Sequence, residues 1–219
     1  MADIIGIIQV KGGVGRSTIA TNLAAQLAAE APTALIDCDL PQGTSASWYA
    51  LRCQASLATG LTLATAVDHA ELVTLCGRLA VDNRYLIIDA PPRLAEMTRA
   101  IIVMSRLCLI PLGASASEIW STTDLMKSIA EARQYRPTVD ARLVWNRFRA
   151  NTREAQELSD AVGRELGLPE LVTKLGYRVA YSEALARGVS VGEWSDRAAR
   201  EEMTRLVGEV RSIMKGETT

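Results

Sequence analysis

The chain has 219 residues, of which 48% are hydrophobic and 22% are charged, and its formal net charge is −1. This length allows a sizeable core, and the near-zero charge excludes an argument for nucleic-acid binding from overall charge. No apolar run approaches the ~18 residues needed to span a bilayer. Four scattered cysteines without a CxxC pair predict reduced, mostly buried thiols. We expect one domain over residues 1–219 and a cytoplasmic protein.

The first part of the chain predicts a site for phosphate groups. Residues 4–10 are an apolar run typical of a buried strand, and residues 11–18 follow as KGGVGRST. A helix is predicted over 19–29. A strand, a glycine-rich loop and a helix in this order form the context of a phosphate-binding loop. Glycines let backbone N–H groups surround a polyphosphate, and the helix N-terminus adds further donors.

The later elements alternate between strands and helices. Helices are predicted at 44–56, 70–79, 94–104, 118–134, 152–166, 182–187 and 196–214. Strands are predicted at 33–39, 85–92 (terminated by prolines), 106–111 and 141–146, with a short sixth at 171–175, whereas 61–67 is predicted to be less regular. Because the strands are almost wholly apolar, we expect an α/β fold with a mostly parallel, twisted sheet and helices on both faces.

Polar residues cluster where the predicted strands end, which is where parallel sheets bind ligands. Asp89 closes an apolar strand and is predicted to face the hydration shell of Mg²⁺, although such an acid can also cap the next helix. Asp37 and Asp39 alternate along the predicted second strand and should share one face. One of them is expected near the metal and the other near an attacking water; a solvated pair of acids is the alternative.

Three motifs together resemble the ParA/MinD family of deviant Walker A ATPases. They are the loop 11–18, the acids of 37–39 (DCD) followed by 41–43 (PQG), and 87–92 (IIDAPP). Residues 110–120 resemble the ParA branch, and the similarity extends over essentially the whole chain. It is similar to the small, ParF-like partition proteins that lack an N-terminal helix-turn-helix domain. The resemblance implies a P-loop NTPase fold.

The resemblance also implies a function. Such proteins are ATPases that use ATP/ADP and Mg²⁺ to segregate plasmid or chromosomal DNA or to position another cargo. They form a homodimer when ATP is bound and bind non-specific double-stranded DNA, so the expected location is cytoplasmic and nucleoid-associated. A ParB-like or centromere-binding protein is the expected activator.

The resemblance assigns roles to individual positions. Lys11 would act across the dimer interface, Asp39 would position water, and Asn146 would contact adenine, unless it only forms a turn. Catalysis would therefore involve Lys11, Arg16 and Asp39. The loop residues expected to hold phosphate are Gly12, Gly13, Val14, Gly15, Arg16, Ser17 and Thr18, and the residues expected at Mg²⁺ are Ser17, Asp37 and Asp89.

Two departures from the family pattern affect these roles. Leu40 is inserted between Asp39 and the proline of the second motif. Arg16 stands where the family has a lysine that bridges phosphate oxygens. A planar guanidinium keeps the charge but binds differently from an ammonium, so we predict that nucleotide binding survives and hydrolysis is slow.

Two predicted surfaces bear on whether the partner is DNA or a membrane. Residues 127–153 carry seven basic and two acidic residues, which in a dimer would favour contacts to DNA phosphates; the alternative is a solvated surface balanced by nearby glutamates. The last helix has apolar residues at helical spacing but a polar face of mixed charge, which favours packing against the domain over membrane binding. The single histidine, His69, is interpreted as a surface or structural residue.

Other functions remain open at this stage. They are a degenerate, slow or non-hydrolysing nucleotide switch, a MinD-like membrane-associated positioning ATPase, and a metabolic or assembly enzyme on the same scaffold. Relatives of the nitrogenase iron protein and metal carriers use cysteine pairs between subunits, and the scattered cysteines here argue against them. An enzyme like dethiobiotin synthetase would need a small-molecule site that the sequence does not indicate.

Overall fold

The computed structural model describes residues 2–40, 42–92 and 96–217. The strands are β1 Asp3–Ile7, β2 Thr33–Asp37, β3 Leu61–Thr65, β4 Tyr85–Asp89, β5 Leu107–Leu112 and β6 Asp140–Trp145. The helices are α1 Arg16–Ala28, α2 Thr44–Gln54, α3 His69–Leu79, α4 Glu96–Met104, α5 Ala116–Tyr135, α6 Arg153–Leu166, α7 Val179–Leu185 and α8 Arg197–Lys215, with a 3-10 turn at Val191–Glu193. The proline of the 41–43 motif and the predicted helix start at 94 lie outside the described residues.

All six strands form one parallel sheet in the order β3-β2-β4-β1-β5-β6. In this order β4 lies between β2 and β1, and the pairing places Asp89 beside Asp37 on one side and Ile7 on the other. The loops that follow β1, β2 and β4 therefore meet at the same edge of the sheet. The predicted α/β fold is confirmed.

Helices cover both faces of the sheet and bury two aliphatic cores. One core packs residues of α3, α4, α5 and α6 against the sheet, among them Leu72, Ile101, Ile129 and Val162. The other packs α1, α2, α7 and α8 against the opposite face, among them Leu23, Trp48, Ala184 and Leu206. The six apolar residues of α8 that recur at helical spacing are all buried there: Met203, Leu206, Val207, Val210, Ile213 and Met214. Within the described residues, no helix combines the length and the apolar character that crossing a membrane requires.

The sixth strand differs from the prediction, since it is β3 at the sheet edge and not the segment 171–175. β3 has the sequence LTLAT, in which both threonines are exposed. It therefore lacks the continuous apolar run that predicts a buried strand. Segment 171–175 does run beside β6, because Leu171 N donates to Leu143 O and Leu175 N donates to Trp145 O. Between them Thr173 N donates to the carboxylate of Glu209 instead, at 2.9 Å, and this interrupts the ladder.

Two other boundaries shift at the predicted site. Helix α1 begins at Arg16 and not at residue 19, because Gly15 ends the loop in a left-handed conformation (φ 93°) and the helix starts directly after it. Strand β2 ends at Asp37, so the prediction that Asp37 and Asp39 share a strand face is wrong. The chain turns there because Asp39 N donates to Asp37 Oδ1 at 3.0 Å.

Candidate nucleotide-binding site

The phosphate loop is supported from β6 by Asn146. The side-chain amide Nδ2 of Asn146 donates to Val14 O at 2.7 Å, and its Oδ1 accepts from Arg147 N at 3.0 Å. A Cβ atom on Gly15 would lie 2.1 Å from Asn146 Nδ2, so only glycine fits this close approach. Because both polar atoms of the Asn146 side chain are engaged, the residue braces the loop in this structure.

Two adjacent cavities border the phosphate loop. The first, of about 420 Å³, is lined by loop residues together with Asp39, Gln42, Thr44 and Pro92, and we call it the phosphate-side cavity. The second, of about 320 Å³, is lined by Asn146, Arg147 and residues of 176–185, and we call it the nucleoside-side cavity. Both are bordered by Gly13, Gly15, Thr18 and Leu185. The two cavities therefore adjoin at the phosphate loop and the N-terminus of α1, and together we call them the groove.

Arg16 lies under the loop and is largely buried. Its Nη1 donates to Gln9 O and Lys11 O, both at 2.7 Å, and its Nε donates to Ala90 O at 2.8 Å. Nη2 lies 3.8 Å from Asp39 Oδ2. Burial lowers the pKa of the guanidinium while the carboxylates of Asp89 and Asp39 raise it, and an arginine side chain stays charged in proteins. Most of the Arg16 donors therefore join backbone segments to one another.

The other loop side chains are arranged differently. Lys11 is partly exposed, and its Nζ donates to Ser117 Oγ at 2.9 Å, next to the start of α5. Ser17 and Thr18 lie in the first turn of α1 and line the phosphate-side cavity. Six of the seven predicted loop residues thus line one cavity, whereas Val14 is buried beneath the surface and Lys11 contacts a different element.

Asp37 has both of its carboxylate oxygens engaged by backbone amides. Oδ1 accepts from Asp39 N, and Oδ2 accepts from Ala46 N in the first turn of α2 at 2.9 Å. Asp37 is fully buried, whereas Asp39 is partly exposed and lines the phosphate-side cavity. Of the two acids, Asp39 is the one placed to meet a ligand directly.

Asp89 is a buried carboxyl group with one oxygen unpaired. Its Oδ2 accepts from Ser45 Oγ at 2.7 Å, but among the described residues Oδ1 has no hydrogen-bond donor. Burial raises the pKa of Asp89 to about 7; the nearby hydroxyls of Ser17 and Ser45 lower it, and the neighbouring Asp37 carboxylate raises it further. A buried carboxyl oxygen without a donor, close to a serine hydroxyl, fits a hard cation such as Mg²⁺, which prefers oxygen ligands.

The predicted basic region 127–153 is largely neutralised locally. Four of its cations pair with acids: Lys127 with Asp124, Arg142 with Asp140, Arg147 with Glu118, and Arg153 with Glu157. Two others donate to backbone carbonyls of neighbouring segments. Arg149 instead stacks on the ring of Tyr177, with its guanidinium carbon 4.5 Å from the centroid.

Sequence reasoning missed two contributors to the site. Gln9 is buried beneath the loop, where its Nε2 donates to Thr122 Oγ1 at 2.9 Å and its Oε1 accepts from Val10 N. A glutamine inside the apolar run 4–10 was the available signal. Residues 176–185 form much of the nucleoside-side cavity, and nothing in their local sequence indicates this, because only the fold brings them to the loop.

The fold and this groove define a P-loop nucleotide-binding protein. A family model supports the same conclusion: the chain belongs to the CobQ/CobB/MinD/ParA nucleotide binding domain family, whose model matches residues 5–191. The predicted ParA/MinD resemblance is therefore confirmed.

Individual relatives agree with this assignment. The chain is 28% identical over 212 residues to maintenance of carboxysome distribution protein A of Halothiobacillus neapolitanus, covering 95% of this chain and 96% of that protein. The structure of apo McdA from Cyanothece superposes with a TM-score of 0.78 at 17% identity, covering 96% of this chain and 100% of the other. Septum site-determining protein MinD of Pyrococcus horikoshii, complexed with Mg-ADP, gives a TM-score of 0.77 at 15% identity and covers both chains fully. At these identities the two structures establish the shared fold.

Proposed function

We propose that this chain is a ParA-type ATPase that segregates DNA or positions a cargo in the cell. The observation that carries the proposal is the groove at the phosphate loop, whose two adjoining cavities of about 420 and 320 Å³ are lined by the loop and by residues 176–185. The relative of similar length that is named for carboxysome distribution supports a positioning role. The cargo is a plasmid, a chromosome or a protein compartment.

Different residues of the groove bind different parts of the nucleotide. Gly12, Gly13, Gly15 and the first turn of α1 line the phosphate-side cavity, and we propose that their backbone N–H groups bind the phosphates. Asp39 lines the same cavity and positions the attacking water. The base and ribose occupy the nucleoside-side cavity. Asn146 borders that cavity and acts by holding the phosphate loop, through its hydrogen bond to Val14 O.

Mg²⁺ fits between the phosphate loop and β4. The Ser17 hydroxyl and the Asp89 carboxylate would hold it, and the ion would neutralise charge on the phosphates. Asp37, whose oxygens are engaged by backbone amides, contributes by fixing the first turn of α2, which also carries Ser45. Asp89 accepts from Ser45 and Asp37 accepts from Ala46, so both carboxylates contact the first turn of α2. These contacts link the proposed metal site to the helix that follows β2.

Slow hydrolysis follows from the contacts of Arg16. A lysine in this position would have a flexible ammonium that follows the phosphate charge as it develops. The Arg16 guanidinium is fixed to three carbonyl oxygens, so its charge cannot relocate without breaking those bonds. We propose that nucleotide exchange and partner proteins, more than intrinsic chemistry, control the switch; a non-hydrolysing switch is the limiting case.

The proposed contact surface for DNA is a basic strip formed by Arg149, Lys174 and Arg205. Lys174 borders one surface cavity together with Arg149 and another together with Arg205, so the three cations are contiguous. Lys174 lies 4.7 Å from the ring centroid of Phe148 and donates from Nζ to Ser159 Oγ, and Glu202 and Glu209 also border these two cavities. Among the described residues none of the three cations has a carboxylate within salt-bridge distance, and such cations can exchange counterions for DNA phosphates without reading bases. Binding is non-specific and requires the ATP-bound homodimer.

Dimerisation tests the proposal in solution. Light scattering on the purified chain should give the mass of a dimer with ATP and Mg²⁺, and of a monomer with ADP or without nucleotide. Lys11→Ala should stay monomeric, since we propose that Lys11 leaves Ser117 to reach the partner's nucleotide. Lys127→Ala, which removes an exposed cation paired with Asp124, is the control and should dimerise normally. A mass that never changes while ATP is bound would contradict the proposal.

A further inference from the structure

Most of the residues that line the nucleoside-side cavity belong to one short segment. The contributing residues lie between 176 and 185, in the turn before α7 and in α7 itself. This segment has little regular structure of its own before Val179, so its shape depends on contacts made with the rest of the fold. Its backbone pairs with the residues after β6, where Tyr177 N donates to Phe148 O at 3.1 Å, and three of its residues bind one side chain of the last helix, Glu202.

Glu202 lies on α8 and is buried, with three neighbours bound to its carboxylate. Gly176 N donates to Oε2 at 3.0 Å, and Tyr181 OH donates to the same oxygen at 3.1 Å. Arg178 donates to Oε1 from both Nε and Nη2, at 3.0 and 2.7 Å. Residues 176, 178 and 181 all line the nucleoside-side cavity. One carboxylate therefore binds three of the wall residues at once.

The approach of Glu202 to this wall is close. A Cβ atom on Gly176 would lie 3.1 Å from Glu202 Oε1, so the backbone at this glycine runs directly against the carboxylate. The Arg178 guanidinium is turned toward Glu202 by its paired hydrogen bonds, which raise the pKa of Arg178. Two N–H groups of one guanidinium that donate to the same carboxylate oxygen fix the orientation of the arginine as well as its distance.

A second glutamate on the same helix provides a comparison. Glu209 lies two turns further along α8 and holds Thr173, whose N and Oγ1 both donate to Oε1, at 2.9 and 3.2 Å. Thr173 does not line the nucleoside-side cavity. Both glutamates thus accept hydrogen bonds from the chain that follows residue 171. Of the two, Glu202 is the one that binds residues lining the nucleoside-side cavity.

We infer that Glu202 is a positioning residue for nucleoside binding: its contacts with Gly176, Arg178 and Tyr181 shape the wall against which the base and ribose lie. The inference rests on the proposed function. It predicts that Glu202 governs affinity for the nucleoside part of the ligand and leaves the phosphate loop, which is built by β1 and α1, unaffected.

The test compares Glu202→Gln with Glu209→Gln in the full chain. Binding of ADP with Mg²⁺ is measured by calorimetry, and inorganic tripolyphosphate serves as a probe of the phosphate-side cavity alone. Glu202→Gln should weaken ADP binding about tenfold and change tripolyphosphate binding less than about twofold, because only the wall loses a charged acceptor. Glu209→Gln should leave both affinities within about twofold.

Each other outcome has a defined meaning. Unchanged ADP affinity in Glu202→Gln, an equal loss of tripolyphosphate affinity, or an equal loss in Glu209→Gln would overturn the inference while the proposed function stands. If the wild-type chain binds no ADP, the proposed function itself fails. Should Glu202→Gln not fold, Tyr181→Phe removes one bond to Glu202; a loss of ADP affinity of about twofold or more supports the inference, and no loss overturns it.

Discussion

The guanidinium of Arg16 donates from Nε to the carbonyl oxygen of Ala90, 2.8 Å away, and joins the phosphate loop to the end of β4. Ala90 directly follows Asp89, the buried acid of the site. The loop and the acid are therefore held in a fixed relation by a side chain that the family pattern would place against phosphate. The expected effect of replacing Arg16 depends on this contact.

Arg16→Lys should make the chain less stable and its ATP turnover faster. A single ammonium cannot reach the carbonyls of Gln9, Lys11 and Ala90 together, so we expect a loss of about 1–3 kcal/mol in the free energy of unfolding. The same ammonium is free to follow the phosphates. Urea unfolding and a steady-state ATPase assay measure the two effects.

Arg52→Lys is the matched control for this change. Arg52 is also buried and donates to Glu193 from both Nη atoms at 2.8 Å, but it lies away from the groove. It should lose stability without any gain in turnover. Turnover that does not change in Arg16→Lys would refute the explanation of slow hydrolysis.

Asp89 should make the ligand-free protein less stable as the pH rises. Its pKa is about 7 in the folded chain and about 4 in an unfolded one, so the folded state holds a proton that the unfolded state releases between these values. The stabilisation is complete below about pH 4 and is lost as the pH rises through about 7. Asp89→Asn should remove this dependence and be more stable than wild type at pH 8, by about 1 kcal/mol or more.

Urea unfolding at pH 5.5 and pH 8 without nucleotide measures this effect. Asp37→Asn is the control on the neighbouring strand, because an amide in place of a carboxylate loses an acceptor for Asp39 N or Ala46 N. It should be less stable than wild type at both pH values. Equal pH dependence in wild type and Asp89→Asn would show that Asp89 does not titrate in this range.

Asn146→Ala separates support of the loop from recognition of the base. The change removes the hydrogen bond to Val14 O and leaves a cavity beside Gly15, so binding should weaken about tenfold for ATP and GTP alike. A residue that reads adenine would instead lose affinity for ATP alone. Competition of the two nucleotides against a fluorescent ADP analogue distinguishes these results.

The sequence was informative where local pattern determines structure. The phosphate loop, the apolar strands and the acid at the end of β4 all carry local signals, and the structure brings them to one edge of the sheet. The orientation of Arg16 could not be predicted, because it depends on the carbonyl of Ala90, 74 positions away. The wall at Gly176 was missed for the same reason, since its shape comes from Glu202 on α8.

The basic strip should contribute to DNA binding through phosphate contacts only. Replacing Arg149 or Arg205 by alanine should weaken binding to any sequence and reduce the slope of log affinity against log salt by about one unit each. Arg153→Ala and Arg197→Ala are controls, because both side chains are exposed but paired with glutamates one helical turn away. Controls that weaken binding as much as the strip variants would argue against a localised surface.

The most direct test of the account is binding to random-sequence double-stranded DNA at two salt concentrations, with ATP and Mg²⁺, with ADP, and without nucleotide. We predict binding with ATP alone, to any sequence, and markedly weaker at the higher salt concentration. Absence of DNA binding in all three states, in a chain that still binds ATP, would contradict the proposal that this is a ParA-type positioning ATPase.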